Sequence, residues 1–130
     1  MGDSMARVLV IDDNKPFLRA MGFFLEASGH ATVLAGSGEI GLARFSEQQP
    51  DVVVLDVELS DIPGFELCRM LREKAPGRDL PIIMMTGRPR REVAAAAAAA
   101  GAREVITKPF ELEDLQLSIS RYVPAGGSMK

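Results

Sequence analysis

Hydrophobic and polar positions along this chain change period five times, and each time a short aliphatic run gives way to a stretch with helical spacing. The apolar runs are residues 8–11, 31–34, 52–55, 81–85 and 105–107. Val8-Leu9-Val10-Ile11 and Val52-Val53-Val54-Leu55 are continuous in hydrophobicity, as strands covered on both faces must be. Pro16 opens the first predicted helix, with Phe17, Met21, Phe24 and Ser28 on one face and Gly29 as its stop. The second carries Ile40, Leu42, Ala43 and Phe45 and ends before Pro50; the third carries Phe65, Leu67, Cys68, Met70 and Leu71 and stops at Pro76-Gly77. The fourth starts at Pro89 and runs to Ala100, where Gly101 terminates it. The fifth covers residues 111–122, with Leu112, Leu115, Ile119 and Val123 on one side. Strands alternating with helices predict an α/β fold, a parallel sheet with helices on both faces.

Composition narrows the picture. The chain has 130 residues, which suits one domain, and 47% hydrophobic content is enough to build a core. Residues 7–123 are expected to be that domain, with residues 1–6 and 124–130 as flexible flanking segments. A net charge of −3 supplies no overall basic field, so direct binding of nucleic acid or an anionic membrane surface is not expected. Cys68 is the sole cysteine, no apolar run reaches membrane-span length, and Met1-Gly2-Asp3-Ser4 lacks the build of a signal peptide, so a cytoplasmic protein is expected. Cys68 and the methionines are read as core fill, and His30, alone at the start of a strand, as structural.

The chemistry lies at the ends of the strands. Asp12 and Asp13 follow the first strand, Asp56 ends the third, Thr86 the fourth and Lys108 the fifth. In open parallel sheets ligands bind outside the carboxyl ends of the strands, so these residues should converge on one site. Taken singly, Asp12 and Asp13 could be helix caps, Asp56 a strand-end acid, Thr86 a turn residue and Lys108 a solvated cation. Capping does not require all five at the same edge. Clustered carboxylates call for a hard cation with oxygen ligands, and Mg2+ suits an open acidic pocket. A carboxylate beside such an ion can act as the nucleophile in phosphoryl transfer, with a lysine neutralising the transferring oxygens. Asp56 and Lys108 fit those roles, and the Thr86 hydroxyl could contact the phosphoryl group and so bias a conformational equilibrium.

Asp12-Asp13, Asp56, Thr86 and Lys108-Pro109-Phe110 resemble the signature set of response-regulator receiver domains, of the chemotaxis-regulator type, over nearly the whole chain. The resemblance implies a flavodoxin-like, doubly wound, five-stranded sheet of order 2-1-3-4-5 with five helices. It further implies that Asp56 is the phosphoacceptor and that Lys108 and Thr86 contact the phosphoryl group. Asp13 and Asp56 would bind Mg2+ directly, Asp12 through water, and Glu58 through its backbone carbonyl. The donor would be a histidine kinase or histidine phosphotransfer protein, and the domain a signalling switch that catalyses only its own phosphorylation and dephosphorylation, with a phosphorylation-dependent dimer as one output. The output partner or domain is not legible.

Three features depart from the family pattern. Val105 stands where an aromatic is common, Ser60 and Pro63 alter the loop after Asp56, and helix four carries seven consecutive alanines, Ala94 to Ala100, which predict a weakly anchored, mobile helix. Leu18 and Gly22 are expected to face outward as part of a donor-docking surface. Three other functions compete. Gly36-Ser37-Gly38-Glu39-Ile40-Gly41 matches a dinucleotide fingerprint, but it follows the second strand and the chain is short for such a domain. Asp56-Val57-Glu58 suggests a small aspartate-nucleophile phosphatase, but without the usual second Asp. A phosphate-independent binding module is the third.

Overall fold

The computed structural model describes residues 6–123. The strands are β1 (Arg7–Ile11), β2 (Ala31–Ala35), β3 (Val52–Asp56), β4 (Ile82–Thr86) and β5 (Glu104–Thr107), and the helices α1 (Lys15–Ala27), α2 (Gly38–Gln48), α3 (Gly64–Lys74), α4 (Arg90–Ala100) and α5 (Leu112–Arg121). All neighbouring strands pair in parallel, in the order β2-β1-β3-β4-β5. The α/β class, the strand order and the five helices are as expected. Of the segments expected to flank the domain, residues 1–6 and 124–130, all but Ala6 lie outside the described residues. Ala6 is buried, and its N–H donates to His30 Nδ1 at 3.2 Å.

Strand pleating sorts the core into two layers. Leu9, Ile11, Val53, Leu55, Ile82 and Met84 pack toward the layer that includes Phe45, Leu67, Leu71, Val93 and Ala97. Val8, Val10, Val52, Val54, Ile83 and Met85 pack toward the other, with Met21, Leu25, Leu115 and Ile119. Successive side chains point to opposite faces and both faces are covered, which is why β1 and β3 show no polar alternation. His30 is structural: Nδ1 accepts from Ala6, and Nε2 lies 2.8 Å from Gln116 Oε1 on α5. Cys68 is buried, and burial pushes its thiol up to about 11, well above the reactive range.

Two helices turn differently from their predicted faces. In α1 the buried line is Leu18, Met21, Gly22 and Leu25. Leu18 and Gly22 therefore do not form the expected outward contact. Gly22 faces Leu34 of β2, so closely that a Cβ would stand 3.0 Å from Leu34 Cδ1. In α2 the inner residues are Gly38, Gly41 and Phe45, and Ile40 and Ala43 point outward. Ranking positions by hydrophobicity misses this, because Gly41 faces inward for lack of a side chain: a Cβ there would sit 2.5 Å from Ile11 Cδ1. Helix α4 is held by buried Val93, Ala97 and Ala100, and Arg72 of α3 donates from Nε and Nη2 to the Gly101 carbonyl at 2.9 and 2.6 Å.

At β5 the Glu104 carboxylate accepts from Ser118, Arg121 and Tyr122 of the α5 segment, at 2.8, 2.8 and 2.9 Å. Burial pushes this carboxyl up, but the three hydrogen bonds outweigh it and hold Glu104 below its ordinary 4.5. A depressed carboxyl stabilises the fold above its unfolded value, and the benefit is lost as pH falls through the folded value. The stability gap between the native chain and Glu104→Gln is therefore expected to be full at pH 7 and to close below about 4.5, read by urea unfolding at several pH values. A gap independent of pH would refute this. For Gly41→Ala, added helix propensity gains roughly 1 kcal/mol while overpacking against Ile11 costs about 1–3 kcal/mol, so the unfolding midpoint is expected to fall.

Candidate functional site

The chain enters the sheet at β1, steps outward to β2 and returns across β1 to β3, so a crevice opens where the order reverses, at the carboxyl ends of β1 and β3. Asp12 and Asp56 are buried there, and Asp13 is exposed at the rim. One carboxylate oxygen from each lies within 4.8 Å of the others. Lys108 Nζ reaches in from the end of β5 and donates to Asp12 Oδ2 at 2.9 Å and Asp56 Oδ2 at 3.2 Å. Burial lowers the Lys108 pKa, but the hydrogen bonds and charges of Asp12 and Asp56 more than reverse this and keep the ammonium charged. Backbone donors take other oxygens: Asn14 N–H binds Asp12 Oδ1 at 2.8 Å, Glu58 N–H binds Asp56 Oδ1 at 3.0 Å, and Ser60 N–H binds Asp13 Oδ2 at 3.0 Å.

Two supports for this site are not legible as motifs. The Phe17 ring lies under Lys108, with Nζ 4.7 Å from its centroid, and Phe110 meets Phe17 edge to face at 5.9 Å. A charge-bearing nitrogen over an aromatic face is attracted by the ring quadrupole. The signal was present in Phe17 at the start of α1, but helical spacing assigned it to the core. The second support is Asp61, whose carboxylate accepts from Gly38 N–H at 2.9 Å and Glu39 N–H at 3.0 Å. These bonds hold the Asp61 carboxyl below the usual carboxylate range and tie the loop after β3 to the start of α2.

Asp61 also accounts for the glycine-rich decoy. Its carboxylate occupies the N-terminus of α2, where a pyrophosphate would sit, and Gly41 is required by contact with Ile11. The loop closes at Gly64, whose added Cβ would stand 2.5 Å from Val57 Cα, so only glycine allows this approach. Thr86 is fully buried, and its hydroxyl donates to Glu58 Oε2 at 2.9 Å. The sequence reading used only the Glu58 backbone; the side-chain contact is new.

Three acids and one ammonium leave the pocket net negative, and the donors are all oxygen. That set fits a hard divalent ion such as Mg2+.

Fold and site together define a doubly wound α/β domain with a lysine-bridged acidic pocket at its switch point. The family model described as the response regulator receiver domain matches residues 8–120, and the chain belongs to that family. It is 34% identical over 115 residues to the Heme response regulator HssR of Staphylococcus haemolyticus, covering 88% of this chain and 50% of that protein. It is 38% identical over 109 residues to the response regulator MprA of Mycolicibacterium vanbaalenii, covering 84% of this chain and 46% of that protein. The chain thus spans about half the length of these curated relatives. The crystal structure of a response regulator receiver domain protein from Clostridium thermocellum superposes with TM-score 0.83 at 31% identity, covering 90% of this chain and 93% of that one.

Replacing Phe17 with Leu removes the ring beneath Lys108, a loss of roughly 0.5–1 kcal/mol of ammonium stabilisation. The side-chain NMR titration of Lys108 is expected to move to lower pH in Phe17→Leu and to stay in place in Phe17→Tyr. An unmoved titration in both would show that the ring is only a packing element.

Proposed function

We propose that this chain is a phosphorylation switch in which Asp56 accepts a phosphoryl group from a phosphohistidine of a histidine kinase or phosphotransfer protein. The observation that carries the reading is Lys108 bridging two buried carboxylates at the carboxyl edge of the sheet. An Asp56 carboxylate oxygen attacks phosphorus, the new P–O bond forms as the donor's P–N bond breaks, and the imidazole leaves with the electron pair. Lys108 meets the charge delivered to the pocket. Asp13 and Asp56 would hold Mg2+ directly, Asp12 through water and Glu58 through its carbonyl. The bound ion supplies further charge neutralisation for the transferring oxygens. Attack of water on the acyl phosphate releases phosphate and restores Asp56, so the only reaction catalysed is the domain's own modification and its reversal.

The relatives' designation as response regulators, with only about half of their length matched by this chain, supports an output carried by a further segment or a separate partner. Phosphorylation-dependent dimerisation is one such output. A cytoplasmic site of action is part of this proposal; among the described residues no helix is long and apolar enough to cross a membrane.

Intact-protein mass spectrometry after incubation with acetyl phosphate and Mg2+ is expected to show one phosphoryl adduct. The adduct should be absent from Asp56→Ala and from a chelator-treated sample. An adduct on Asp56→Ala would assign the acceptor elsewhere. Absence of any adduct, with no response to beryllofluoride, would leave a phosphate-independent binding module, and turnover of small phosphoesters would indicate a phosphatase.

A further inference from the structure

Glu58 follows Asp56 by two residues and is exposed, yet both of its carboxylate oxygens are hydrogen-bonded within the protein. It crosses to the end of β4 and accepts the Thr86 hydroxyl at 2.9 Å and the Gly87 N–H at 3.3 Å. Thr86 Oγ1 accepts in turn from Arg88 N–H at 3.0 Å, which leaves the hydroxyl proton directed at Glu58. Two donors, one on a fully buried side chain, thus converge on a single anion. That anion belongs to the same short turn as the phosphoacceptor, because the Glu58 N–H is bonded to Asp56 Oδ1.

We propose that the Glu58 carboxylate is a resident competitor for the Thr86 and Gly87 donors, and that a phosphoryl group on Asp56 must displace it to engage Thr86. This rests on the phosphoacceptor reading of Asp56. A carboxylate and a phosphoryl group offer the same chemistry to these donors, two anionic oxygens within hydrogen-bond reach. The two anions repel at short range and cannot share one hydroxyl proton. Glu58 is tethered, so it competes at high effective concentration. Being exposed, it can also swing into water at small desolvation cost. Displacement is therefore a graded opposition to phosphorylation, not a block. A binding-competent state that is only fractionally populated weakens apparent affinity by that fraction.

Hydrogen bonds to charged groups correspond to roughly 10- to 100-fold in an equilibrium constant, and solvent exposure places this pair at the lower end. Binding of beryllofluoride, a phosphoryl mimic, would be measured with Mg2+ present for the native chain, Glu58→Ala, Thr86→Val and the double variant. The Gly87 amide resonance would be followed in the anion-free proteins. Glu58→Ala is expected to bind beryllofluoride about tenfold more tightly, most of that gain should vanish in the Thr86→Val background, and the Gly87 amide should shift in Glu58→Ala. A gain retained in full without the Thr86 hydroxyl would reduce Glu58 to a bulk negative charge and overturn the competition. So would an unmoved Gly87 resonance with normal anion binding. If no form binds beryllofluoride, the phosphoacceptor reading itself falls, whatever the Gly87 resonance shows.

Discussion

The Lys108 ammonium between Asp12 and Asp56 is the interaction on which the carboxyl edge of the sheet depends. Buried carboxylates without a partner cost several kcal/mol each, and removing one member of a buried charged set is costly for the same reason. Lys108 meets that requirement from outside the switch point. It arrives from the end of β5, crosses above β3, and is steadied by the Phe17 ring at the start of α1. The bridge leaves the pocket short of positive charge, because Asp13 adds a third carboxylate that, among the described residues, has only a backbone donor. Incomplete neutralisation makes the pocket receptive to a cation without collapsing in its absence.

The loop after β3 is held by a second set of charges. Asp61 binds two N–H groups at the start of α2, Ser60 N–H binds Asp13, and Gly64 brings the chain back against Val57. These contacts link α2, the rim acid and the backbone beside Asp56 into one connected arrangement. Glu58 lies between these anchors and Thr86. It is the point where the loop after β3 meets the end of β4.

The strands were legible because both faces of the sheet are covered, which forces continuous apolar runs ending in polar residues; their order came from the family resemblance and not from the pattern. Asp12, Asp13, Asp56, Thr86 and Lys108 were legible for the same reason: residues at the carboxyl ends of parallel strands share one edge whatever their separation in sequence. Helix rotation was not. Gly22 and Gly41 face inward, and a glycine contributes nothing to a hydrophobic pattern although the space it leaves decides which way the helix turns. Contacts that depend on loop geometry, such as Asp61 with α2 and Glu58 with Thr86, carry no periodic signal at all.

Val105 bears on how a change at Thr86 could travel. It is buried in the α2, α3 and α4 layer, and it has neither the size nor the polar tip of an aromatic that would move between core and surface. Thr86 is instead connected through main chain. Its carbonyl accepts Lys108 N–H at 2.7 Å, its hydroxyl accepts Arg88 N–H, and α4 begins at Arg90. The Arg72 contact with Gly101 holds the far end of α4, while its near end has no side-chain cap and is held by buried Val93 and the exposed Arg88–Glu92 pair. Thr86 is therefore bonded directly both to Lys108 and to the residues that lead into α4. In this sequence the backbone of the β4–α4 loop, and not an aromatic on β5, joins the end of β4 to α4.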